Sequence, residues 1–192
     1  MNHRAHKRGF TMIELLVTMG IFLMLTGVVL TNYRAFNTHE VFASSVENLV
    51  FALRQAQVYG AGTKGGGAVL CGTPASEFDC AYGVHIPQAD PSYAYKIFID
   101  ANDNRIYDAG DIDVETITWD NSIYYKTLYC GVIGISCTGN VMDITFKRPN
   151  PDAYITDSIG APSGFGSIRI NSNTTSDDVT LTITSAGQIS SQ

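Results

Sequence analysis

Charge is scarce in this chain of 192 residues: Asp, Glu, Lys and Arg make up 16% of it, against roughly 25% in ordinary soluble domains. Basic residues are the rarer sign. Lys and Arg number 12 and Asp and Glu 18, a formal charge of −6, which argues against a broad, charge-driven nucleic-acid binder. Disorder is excluded too, because 45% of the residues are hydrophobic. No proline precedes Pro74, so nothing forbids one long helix ahead of it. The four cysteines lack the C-x-x-C pairs of a zinc ribbon, and past the helix only His85 could help them hold a metal. His39 and His85 have no Ser or Cys nucleophile at a suggestive spacing, so no catalytic constellation is legible and the chain is not read as an enzyme. A mass of 20.8 kDa fits one ordinary domain with an appendage.

The charge deficit is concentrated at one end. Met1 to Gly9 carries Arg4, Lys7 and Arg8 and no acid, and Phe10 to Leu30 is apolar apart from Glu14. As a helix that second run spans about 31 Å, enough to cross a bilayer core. The basic residues before it set the N-terminus on the cytoplasmic side, which leaves the remainder outside a cytoplasmic membrane. The run passes into Thr31, Asn32 and Tyr33 with no small-residue cleavage site, so it reads as a retained anchor, a transmembrane segment at about 10–31.

A carboxylate within such a helix costs a few kcal/mol and needs a use. The string Gly9-Phe10-Thr11-Met12-Ile13-Glu14-Leu15 resembles the processing site of type IV prepilins: a short basic leader ending in Gly, then Phe, with Glu as the fifth mature residue. The resemblance implies a leader at 1–9, cleavage between Gly9 and Phe10 by a prepilin peptidase, and methylation of the new Phe10 amine. It also implies assembly with other pilin or pseudopilin subunits, Glu14 facing the N-terminal amine of a neighbour. Burial among helices makes such a partner necessary for the carboxylate. Leu53-Arg54-Gln55-Ala56, Val69-Leu70-Cys71 and the stretch Leu181 to Ile189 are similar to the GspH/FimT-like minor pilins and pseudopilins. That implies a structural subunit of a type IV pilus or type II secretion-like filament, extracellular or periplasmic. The alternative is a displayed module that binds a surface or DNA, for which Lys147, Arg148 and Arg169 are the only basic residues that could gather on the head's later strands.

Beyond the anchor, Val41, Phe42, Val46, Leu49, Val50, Leu53 and Ala56 recur at spacings of three and four, an amphipathic stripe. One helix is therefore expected over 10–59, about 75 Å long. The cluster Gly60 to Gly67 stops it. Its G-x-G-x-x-G follows a helix rather than a strand, so it is a connection and not a dinucleotide fingerprint. Short strands follow at Ala68–Cys71, Tyr82–Ile86, Tyr95–Ile99, Glu115–Trp119, Ile123–Leu128, Val141–Lys147, Ser167–Ile170 and Val179–Thr184, with a tight turn at Ser185–Gln188 into a last one. The expected fold is α+β, a type IV pilin fold: a long N-terminal helix packed on an antiparallel β-sheet head over 60–192.

All four cysteines fall in that head, in an oxidising space if it lies outside the cytoplasm. Three connectivities are possible, and the local one, Cys71 with Cys80 and Cys130 with Cys137, is preferred over four free buried thiols. The segment from Asp100 to Asp111 places oxygen ligands at loop positions 1, 3, 5, 9 and 12 (Asp100, Asn102, Asn104, Asp108 and Asp111), with the Ile106 carbonyl at 7. This is the spacing of an EF-hand calcium loop. Arg105 departs from the usual Gly at position 6, Asp111 is shorter than the usual Glu, and a strand rather than a helix leads in. Calcium is expected here; a solvated turn between two strands is the plainer alternative.

Overall fold

The computed structural model describes residues 9–62, 64–65, 70–71, 76, 78–88, 92–132 and 134–192, with backbone alone for residues 31–36. Arg4, Lys7 and Arg8 of the leader, and Ala68 and Val69 of the first expected strand, lie outside the described residues. Helix α1 runs Met12–Ala61 without interruption. The chain divides into two compact units, Met1–Glu40 and Val41–Gln192.

The first unit contains the apolar part of α1. Met12–Leu30 has mean hydropathy 2.3 and is long and apolar enough to cross a membrane. Its side chains are exposed in the isolated chain, from Phe10 and Met12 through Leu30.

Among the described residues, the second unit packs the end of α1 on nine strands. β1 (Ala81–Pro87), β2 (Tyr95–Asp100), β3 (Ile112–Ile117), β5 (Val141–Phe146) and β6 (Ala153–Thr156) form one antiparallel sheet in the order β3-β2-β1-β5-β6. β4 (Ile123–Cys130), β7 (Phe165–Ser172), β8 (Asp178–Thr184) and β9 (Ile189–Ser191) form a second in the order β4-β7-β8-β9. The α+β class holds, with the head built of two sheets. Most elements fall where alternation places them. β6 escapes notice because it is four residues long and follows Pro149 and Pro151. β3 starts earlier than expected, at Ile112, since a bulge between Ile97 and Phe98 lets β2 pair with Asp113.

Phe42, Val46, Leu49, Leu53 and Ala56 from the stripe on α1 are buried in one core with residues of both sheets. The helix sits close enough to β5 that only glycine fits at position 60, where a Cβ would lie 2.1 Å from the Phe146 carbonyl oxygen. Gln57 Nε2 then donates to the carbonyls of Pro151 (3.0 Å) and Gly187 (3.1 Å), fastening α1 to two loops. Cys71–Cys80 and Cys130–Cys137 are disulfides, the second closing the turn after β4. Among the described residues no cysteine is free.

Candidate functional site

At the N-terminus, Gly9 and Phe10 are exposed and α1 starts two residues later. Thr11 and Glu14 cap it reciprocally. The Glu14 N–H donates to Thr11 Oγ1 (3.3 Å), and the Thr11 N–H lies 3.5 Å from Glu14 Oε2. This is a capping box, which meets two of the helix's four orphan donors and sets an acid at the positive end of its dipole. The T-x-x-E spacing was there to be read and gives Glu14 a local role in addition to any intersubunit one. Between Thr11 and Leu30 no further acidic or basic side chain follows Glu14.

A family model described as the prokaryotic N-terminal methylation motif matches residues 4–30. The chain has a prepilin-type N-terminus. It is type IV pilin-like there, a substrate type for prepilin peptidase, and the motif belongs to structural rather than catalytic proteins. No curated protein and no solved structure matches the chain.

In the head, the loop from Asp100 to Asp111 joins β2 to β3 and wraps on its own side chains. Asp100 receives the N–H groups of Asn104 (3.2 Å) and Arg105 (2.9 Å). Asn102 and Asn104 each accept the N–H two residues on, at 3.1 and 2.9 Å. Asp111 accepts from Ala101 (3.0 Å) and Asp108 (2.9 Å), which closes the loop end to end. Asn102 and Asn104 both direct their amides to Asp108 Oδ2, at 2.9 and 2.7 Å. Arg105, where a calcium loop has glycine, takes φ 67°, so the backbone makes the sharp turn without one.

Electrostatics divide the three carboxylates. Burial raises Asp100 and Asp111 above the usual aspartate range against the pull of their N–H donors. The Gly110 N–H, then the two Asn amides, hold half-buried Asp108 below it. Among the described residues no group of three or more His, Cys, Asp or Glu side chains is gathered for a metal ion. The oxygen donors suit a hard cation in kind, but Asn102 and Asn104 spend their side-chain oxygens on backbone N–H groups and turn their NH2 groups to Asp108. As they stand, hydrogen bonds close the loop. Ile106 forms part of it, and its N–H is held by Asn104.

The loop is clamped to the sheet by residues that sequence spacing does not single out. Asp143 on β5 accepts the Tyr107 N–H (3.1 Å). Thr156 on β6 donates to the Arg105 carbonyl (2.7 Å), and Lys147 Nζ sits 2.8 Å from Asp103. Each of the three candidate basic residues faces an acid. Lys147 and Arg148 follow β5 and face Asp79 and Asp103, whereas Arg169 on β7 forks onto Asp178 on the adjacent β8 of the second sheet.

Proposed function

We propose that this protein is a structural subunit, a minor pilin or pseudopilin, of a type IV pilus or type II secretion-like filament. In this reading prepilin peptidase cuts between Gly9 and Phe10, and the methylated Phe10 amine of one subunit meets Glu14 of the next. The subunit waits in the cytoplasmic membrane as a single-pass protein with its head outside, then enters the filament through α1. The supporting observation is the pairing of a lone carboxylate, Glu14, with an apolar surface exposed along Met12–Leu30. In isolation that surface needs lipid or other helices around it. The GspH/FimT-like assignment belongs to the same proposal, as does calcium in the Asp100–Asp111 loop.

The test uses Glu14→Gln, which keeps a capping-box acceptor and removes the charge. Glu14→Gln is expected to insert and to be cleaved like the parent, and to enter filaments poorly. Normal filament entry would make Glu14 a helix cap and nothing more.

A further inference from the structure

A second site lies away from the loop, where the ends of the two sheets meet. A cavity of about 210 Å³ opens between Pro87 and Gln88 at the end of β1, Tyr93 and Ala94 just before β2, the β3–β4 connection and the start of β4. Its aromatic lining is Tyr93, Trp119, Tyr124 and Tyr125, and Asp120 and Asn121 add polar groups. Trp119 is the sole tryptophan of the chain.

The rings are held in place beforehand. Trp119 packs on Tyr125 with centroids 4.7 Å apart and meets Tyr95 at 6.2 Å and 71°. Tyr124 remains 42% exposed at the cavity edge. Among the described residues, two donors in this wall have no acceptor: Trp119 Nε1 and Tyr125 Oη are buried and unbonded. Burial pushes the Tyr125 hydroxyl well above its ordinary value, so it stays protonated and able to donate at neutral pH. A buried orphan donor is costly, and an indole N–H can only donate.

These features define the occupant. It is small, because the cavity falls below the roughly 300–1,000 Å³ of common ligand sites. It has an apolar face to lie against aromatic rings, and it brings oxygen acceptors. A quaternary ammonium would satisfy the rings but none of the donors. A pyranose ring has both properties: C–H groups on one face, and hydroxyls around the edge that donate as well as accept. We infer that this cavity binds one pyranose ring of a carbohydrate, with Trp119 and Tyr124 as stacking surfaces and Asp120 and Asn121 holding its hydroxyls. The site does not depend on how the protein assembles.

Because Trp119 is unique, its emission reports on the cavity alone. The full chain, kept soluble in amphipol rather than a glycosidic detergent, is titrated with methyl α-glucopyranoside, methyl α-galactopyranoside and N-acetylglucosamine. Sorbitol and tetramethylammonium serve as comparison ligands. At least one pyranoside is expected to give a saturable change with a millimolar Kd, and sorbitol none. Tyr124→Ala and Asn121→Ala, each melting like the parent, are expected to weaken that binding tenfold or more. No saturable response to any pyranoside would overturn the inference. So would an equal response to sorbitol, a response confined to tetramethylammonium, or unchanged affinity in both variants.

Discussion

His85 Nδ1 and Asp143 Oδ1 lie 2.6 Å apart in the core, paired across the β1–β5 register. The other oxygen of Asp143 accepts the Tyr107 N–H, so one buried carboxylate holds both a neighbouring strand and the acidic loop. Tyr107 stacks on the His85 ring at 4.4 Å, and its hydroxyl donates to Asp113. His85→Ala removes the side-chain partner of a wholly buried carboxylate and leaves it the Tyr107 N–H. A loss of about 3–5 kcal/mol in unfolding free energy is expected, measured by denaturant titration. A loss below about 1 kcal/mol would show that water or another group takes over at Asp143.

Acid should weaken the head in a defined window. Hydrogen bonds from the Arg169 fork, then its charge, hold Asp178 below its ordinary value of 3.8. A carboxyl lowered by folding stabilises the protein above its unfolded pKa, and that contribution is lost as pH falls through the folded one. Asp100 and Asp111, raised by burial, have the opposite sign and gain as they protonate. Asp178→Asn is therefore expected to narrow the difference in Tm between about pH 6 and about pH 2.5 by a small amount, as exposed ion pairs contribute little. An unchanged or wider difference would contradict the assignment.

Calcium in the Asp100–Asp111 loop predicts a thermal shift. At a concentration 100 times Kd, linkage contributes about 2.7 kcal/mol, or about 5–10 °C in a domain of this size. The full chain in amphipol is expected to melt higher with calcium than with chelator, and Asp100→Ala to remove the difference. Magnesium should substitute poorly, because it holds its waters and demands a tighter shell. Equal melting in calcium and chelator would leave the loop as a turn closed by its own hydrogen bonds.

Much of this architecture is legible in the residues because its signals are local. The apolar run from Phe10, the three-and-four spacing from Val41 to Ala56 and the oxygen spacing from Asp100 are each read within a single element. The His85–Asp143 pair is not, because its members are 58 residues apart and meet only through strand register. The same holds for the cavity at Trp119, whose walls come from four separate segments. The division into two sheets is also hidden, since alternation marks strands but not which partner each takes. Gly166 on β7 shows where they meet, its Cβ position 3.1 Å from Ile155 and 3.2 Å from Met142.

The processing of the N-terminus is the point on which the proposed role turns, and intact-mass analysis of the protein recovered from membranes or filaments reads it directly. The mature chain is expected to start at Phe10 with one methyl group on its amine, without residues 1–9. Recovery of the chain with Met1 to Gly9 still attached, in cells with an active prepilin peptidase, would contradict the account.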